Sequence, residues 1–197
     1  MEPAGEITQL LSEASSRSPG AVERLIELVR DDLRGVAANH LRASGPRASL
    51  EPTALVHEVY LRFFERDEPP TWANRRHFYM AASRAMHDLL VERARAASRK
   101  KRGGDRTRVP LSDTPGVEQE ATRFLELSEA LMALQQVAPD RAEVVRLRFF
   151  CGLTYDEIAR ALDCSERTVR RHWKVAQLWL RERLEIEPAG DGSGDEG

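Results

Sequence analysis

The sequence predicts an all-α protein of two small helical domains joined by a flexible linker, the C-terminal one a helix-turn-helix. Three observations lead there. Apolar residues recur at spacings of three and four, and no stretch alternates apolar with polar residues or carries an Asn-Gly hairpin signal. Residues 105–116 hold two prolines and no periodicity, which is the composition of a linker. A Thr-x-x-Glu start at Thr154 and Glu157 is followed by an amphipathic run, a tight turn and a second such run.

Taken in order, Ile7, Leu10, Leu11 and Ala14 place a short first helix. Val22, Leu25, Ile26, Val29, Leu33, Val36 and Ala37 place a second over about 20–41, which Ser44-Gly45-Pro46 breaks. Pro52 suits the first turn of a third, since its missing N–H would be unbonded there in any case. That helix carries Leu55, Val56, Val59, Tyr60 and Phe63 and stops at Asp67-Glu68-Pro69-Pro70. A fourth runs from near Asn74 toward Lys101, with Phe78, Ala81, Ala82, Ala85, Leu89 and Ala96 as its apolar face. These helices make up a first domain, 6–104, and the linker is 105–116.

The second domain is expected over 117–186. Its first helix spans about 117–137, and Pro139-Asp140 opens the next, which continues through Val144, Val145, Leu147 and Phe150 to Gly152. Thr154 and Glu157 form a capping box for a helix beginning at Tyr155, whose buried stripe is Ile158, Ala159 and Leu162. Asp163-Cys164 makes the turn, and Ser165 caps a last helix with Val169, Trp173, Ala176 and Leu180 inward. Residues 187–197 are rich in glycine and acid and read as a disordered tail.

The net charge of −2 hides an alternation. Residues 2–71 carry −4, 72–110 carry +8, 111–138 carry −4, 139–184 carry +3 and 185–197 carry −5. Two basic segments that coincide with helical motifs suggest two polyanion-binding surfaces. No apolar run comes near the ~18–20 residues of a membrane span, and the acidic N-terminus argues against a secretory signal. Cys151 and Cys164 read as small, partly buried residues of a reducing compartment. His40, His57, His77, His87 and His172 are scattered, with no pair three or four apart, so neither a metal nor another cofactor is expected. Without a phosphate-binding glycine loop, a nucleophile elbow or a convergent acid–base set, no enzyme is expected either.

Two clusters fit nucleic acid. With Val169 and Trp173 inward, the last helix turns Glu166, Arg167, Arg170, Arg171 and Lys174 outward, beside the capping Ser165. Arginine there can grip a guanine edge through two bonds, and glutamate can accept from cytosine N4. At the start of the fourth helix, Trp72, His77, Phe78 and Tyr79 interleave with Arg75 and Arg76. Aromatic rings can stack unpaired bases while arginine tracks phosphate. Phe78 also reads as core, and Trp72 as either core or platform.

Leu147-Arg-Phe-Phe-Cys-Gly-Leu-Thr-Tyr-Asp-Glu-Ile-Ala159, followed by Thr168-Val-Arg-Arg-His-Trp, resembles the fourth conserved region of sigma-70 family factors. Ala54-Leu-Val-His-Glu-Val-Tyr-Leu-Arg-Phe-Phe64 resembles the second region, with His57 where the family usually has Gln. Phe78-Tyr-Met-Ala-Ala-Ser-Arg-Ala-Met-His-Asp-Leu-Leu90 resembles the helix that handles the −10 element. The chain is too short for the domain between these regions in housekeeping factors, which leaves the two-domain, extracytoplasmic-function (ECF) type. The resemblance implies that Leu55, Val56, His57, Glu58 and Tyr60 dock on the β′ clamp helices of core RNA polymerase. It implies that Trp72, Asn74, Arg75, Arg76, His77, Tyr79, Arg84 and Arg95 handle the −10 element. It further implies that Ser165, Glu166, Arg167, Arg170, Arg171 and Lys174 read the −35 element close to the β flap. The expected partners are core polymerase and promoter DNA, with an anti-sigma factor as a further candidate. The free chain is expected to be monomeric and cytoplasmic, held off membranes and on the nucleoid only in the holoenzyme. The alternative is a stand-alone helix-turn-helix activator or repressor, which would bind duplex DNA without polymerase.

Overall fold

The computed structural model describes residues 3–16, 18–45, 50–65, 70–102 and 115–185, and among them every regular element is helical. In chain order these are α1 (Pro3–Ser15), α2 (Ala21–Ser44), α3 (Pro52–Phe64), α4 (Arg75–Arg102), α5 (Pro115–Val137), α6 (Pro139–Val145), a π-helical turn (Arg146–Phe150), α7 (Tyr155–Leu162) and α8 (Glu166–Arg183). Most of the expected linker and all of the expected tail lie outside the described residues. No helix among the described residues is long and apolar enough to cross a membrane.

Local chemistry sets the helix starts. Proline opens α3 and α6 at the first turn. The Asn74 side-chain oxygen accepts the His77 N–H at 2.9 Å ahead of α4. At α7 the capping box is complete: the Glu157 N–H donates to Thr154 Oγ1 at 3.3 Å, and the Thr154 N–H donates to Glu157 Oε2 at 2.8 Å. Ser165 Oγ accepts the Thr168 N–H at 3.1 Å ahead of α8. Between the two helices Asp163 takes a left-handed conformation, φ 50°, which turns the chain sharply.

Two details of α6 and α4 go beyond the sequence reading. The helix expected to run through Phe150 does so, with its last turn widened into the π-helical turn. Leu147 and Phe150 are both buried, but in different places: Leu147 joins Ile158 and Val169, while Phe150 joins Leu131 and Ala176. Regular winding would keep two residues three apart on one face, and the wider turn splays them. On α4 the fully buried residues include Met86, Leu90 and Ala94, whereas Ala81, Leu89 and Ala96 are only half-buried. This long helix packs against α1, α2, α3 and α5, so its buried arc is broader than a single stripe.

The largest core gathers Leu10, Leu11, Leu25, Val29, Leu55, Phe78 and Met86 from α1 to α4. Phe124 of α5 belongs to it as well, with Ala121 and Leu125 packed alongside. Two turns further along, Leu131 and Leu134 of the same helix enter a second core with Ala142, Val145, Phe150 and Ala176. Val144, Leu147, Ile158, Ala159 and Val169 form a third beneath α7 and α8. Helix α5 thus contributes buried residues to two of the three cores.

Thr154→Ala is expected to cost about 1 kcal/mol of unfolding free energy in urea. The Glu157 carboxyl is held below its ordinary value chiefly by the backbone hydrogen bond from Thr154. Its contribution is thus present above the ordinary carboxylate range and is lost as pH falls through the lowered value. In the variant, an NMR titration should find Glu157 moved upward.

Candidate nucleic-acid interface

Helix α8 is fixed from beneath by Val169 and Ala176, both fully buried, with Trp173 half-buried beside them. Its far face carries Glu166, Arg167, Arg170, Arg171 and Lys174, all exposed, with Ser165 at the cap. These six side chains share one end and one face, as the sequence reading placed them. They are not equally free. Arg170 donates to Glu166 Oε1 from Nε at 3.0 Å and from Nη2 at 2.5 Å, and its guanidinium lies 4.4 Å from the centre of the Tyr155 ring. Arg148 approaches the same ring at 4.7 Å. Arg167, Arg171 and Lys174 make no ion pair among the described residues.

A second basic face surrounds the start of α4. Arg75 donates from Nη2 to Asp32 Oδ2 at 3.0 Å, the Tyr79 hydroxyl donates to the same oxygen at 2.7 Å, and the Arg75 guanidinium lies 5.3 Å from the Tyr79 ring centre. Burial first, and the bond to Asp32 second, raise the Tyr79 phenol far above its ordinary value. Arg76 and His77 are exposed, and His77 Nδ1 accepts the Ala73 N–H at 3.3 Å. Further along, Arg84 pairs with Glu143 of α6 at 3.7 Å. Arg95 lines, with Arg84, a cavity of about 570 Å³ between α4 and α5.

Three residues expected at contact surfaces are core residues here. Trp72 is 7% exposed and enclosed by Phe63, Phe64 and Phe78 at centroid distances of 5.2, 5.7 and 5.2 Å, so its ring offers no open stacking face. Leu55 and Val56 are buried because α3 needs them to hold onto α2. What α3 presents outward is His57, stacked on the half-buried Tyr60 at 6.0 Å, and Glu58, ion-paired with Arg93 of α4.

The profile of the ECF sigma factor family matches residues 4–186, nearly the whole chain. The chain belongs to the ECF sigma factor family. A sigma factor is the promoter-specificity subunit of RNA polymerase and not an enzyme, which accords with a surface organised around arginines. No group of three or more potential metal ligands occurs among the described residues. Comparison with curated proteins gives no match, and comparison with solved structures gives none.

Sequence reasoning missed the residues that position this sigma factor's arginines. Tyr155 under Arg170, Asp32 beside Arg75 and Glu143 beside Arg84 are 15, 43 and 59 residues away from their partners. Periodicity carries no signal at such separations. Asp32→Asn is expected to lower the Tyr79 titration while leaving it above the ordinary phenol value, since burial remains. An ultraviolet absorbance titration of the tyrosines at high pH measures this.

Proposed function

We propose that this sigma factor reads its promoter with two separate faces and meets polymerase with a third. The observation that carries the reading is the outward face of α8. It combines a capped N-terminus, guanidinium groups on Arg167 and Arg171 that make no ion pair among the described residues, and Arg170 oriented by Glu166 and Tyr155. In this reading α7 and α8 are the helix-turn-helix of a C-terminal domain. α7 crosses the DNA backbone and the first turns of α8 enter the major groove of the −35 element. A guanidinium already held in plane loses little freedom on gripping a guanine, so Arg170 is assigned the base contact. Lys174, a point charge one turn further along, is assigned to phosphate.

The N-terminal domain supplies the other two faces. Arg76 and His77, with Arg75 and Tyr79 behind them and Asn74 at the cap, line the place for the opened −10 strand; Arg84 and Arg95 continue that face along α4. Trp72 acts there as the packed floor of the junction. His57, Glu58 and Tyr60 form the polar and aromatic edge that meets the β′ clamp helices, with Leu55 and Val56 anchoring α3 from within. The α7–α8 unit sits close to the β flap. The chain works in the bacterial cytoplasm, on the nucleoid when bound to polymerase and as a monomer when free. An anti-sigma factor would act by covering the α3 and α8 faces.

Transcription by reconstituted holoenzyme from a library randomised across the −35 element, at two salt concentrations, tests the α8 assignment. Arg170→Ala should relax preference at one promoter position, at a cost of about 1–3 kcal/mol. Lys174→Ala should weaken all promoters alike and lower the salt slope by about one. Equal scaling of every promoter by Arg170→Ala would make Arg170 a phosphate contact. On α3, the double change His57→Ala and Glu58→Arg should weaken capture of core polymerase in a pull-down with helicity intact. Unchanged capture would remove α3 from that interface.

A further inference from the structure

The two halves of the chain are packed against each other, and aromatic rings form the centre of the seam. Phe150, at the end of the π-helical turn, lies on His40 of α2 with centroids 4.5 Å apart and planes within 15°. It meets His87 of α4 nearly edge-on at 5.3 Å, and His87 touches Phe124 of α5 at 5.4 Å. The two imidazoles are 6.1 Å apart. His40 is 1% exposed; its Nε2 is bonded to Ser83 Oγ at 2.9 Å, while its Nδ1 has no partner among the described residues. The Nδ1 of His87 is likewise buried without a partner. Around this centre, Arg84 reaches across to Glu143, and Gly152, at φ +73°, comes so close to α2 that an added Cβ would lie 2.7 Å from Asn39 Nδ2.

We propose that this packing is a closed state of the free sigma factor, latched by Phe150 on the His40–His87 pair and released when that pair takes up protons. A neutral imidazole suits the seat, because a flat apolar ring covers it and leaving one nitrogen unpaired costs far less than burying an uncompensated charge. An imidazolium does not. Protonation would place an N–H on His40 Nδ1 where nothing accepts it, and would set two cations side by side under Phe150.

The charges facing the pair do little to offset this. His40 faces Ser83 and His87 of α4 and Phe150 of the π-helical turn. His87 faces Phe124 of α5, the neighbouring Asp88, which favours its charge, and Arg146, which opposes it. Arg146 in turn stands beside Arg84 and Glu143, and Glu129 of α5 lines the adjoining cavity. Burial, and then the charge of His87, hold His40 down to about 3; burial holds His87 below its ordinary value too. Rehydrated in an opened chain, both rings would titrate near 6.5. The closed form is therefore unaffected above that pH. Below it, the ratio of closed to open falls by up to about tenfold per pH unit for each ring, and for His40 this continues toward pH 3. Opening would also free Arg84 from Glu143.

Small-angle scattering of the full chain from pH 7.5 to 5.0 tests the latch, with far-ultraviolet circular dichroism on the same samples. This window lies above the ordinary carboxylate range, so histidine dominates it. The radius of gyration should rise as pH falls while helicity is retained. The double variant His40→Gln, His87→Gln keeps a hydrogen-bonding side chain beside Ser83 but cannot take up a proton, and it should stay compact throughout. Arg84→Glu, which sets two acids against each other away from the cores, should expand the chain already at pH 7.5. A flat radius of gyration in the native chain overturns the proposal. So does an equal expansion of the double variant. Neither result bears on the −35 and −10 assignments, which are read by transcription.

Discussion

Phe124 and Leu134 lie ten residues apart on α5, and each is sealed into a different core. Phe124 completes the bundle of α1 to α4, and Leu134 anchors the packing of α6 and α8. A single continuous helix therefore ties together the halves that carry the two basic faces. Losing a buried phenylalanine of this kind costs ~3–5 kcal/mol in a core. Here the loss would also detach the helix that sets where the second half sits. The π-helical turn belongs to the same arrangement: by splaying Leu147 from Phe150, it fills the core beneath α7 and places a ring on the N-terminal bundle in one step.

The basic faces are shaped by acids as much as by bases. Asp32 holds both Arg75 and Tyr79, Glu166 holds Arg170, and Glu143 holds Arg84. The Asp32 and Glu166 pairs are exposed, and such pairs contribute little to stability, commonly under about 1 kcal/mol. Their consequence is directional. In the proposed reading, a long arginine kept in one orientation, with Tyr155 or Tyr79 behind it, would meet a nucleic acid with less freedom left to lose. Arg76, Arg167, Arg171 and Lys174 make no ion pair among the described residues, so each face combines fixed groups with adaptable ones.

Much of this was legible from spacing. The capping box at Thr154 and Glu157, the turn at Asp163, the cap at Ser165 and the outward cations of α8 all depend on residues within one or two helical turns of each other. Local hydrogen bonding and periodicity are enough to specify them. What escaped depends on partners distant in sequence. Spacing leaves Trp72 open between core and platform, and the folded chain, with Phe63, Phe64 and Phe78 closing around it, decides for the core. Leu55 and Val56 fit a contact motif, yet the same apolar character is what α3 uses to pack. Composition marks 105–116 as a linker, but it carries no signal that Phe124 of α5 packs onto the bundle of α1 to α4. The helix expected through Phe150 is present, but its last turn is π-helical, a detail periodicity does not show, since Leu147 and Phe150 enter different cores.

A specificity subunit with two reading faces has no independent life as a repressor or activator. Run-off transcription on genomic fragments, with core RNA polymerase alone, the chain alone and the two together, tests this directly. Discrete starts are expected only from the combination, each preceded by an asymmetric pair of elements, with no stable complex of the chain alone with duplex DNA. Tight binding of the isolated chain to a palindromic duplex, with no new starts when polymerase is added, would contradict it.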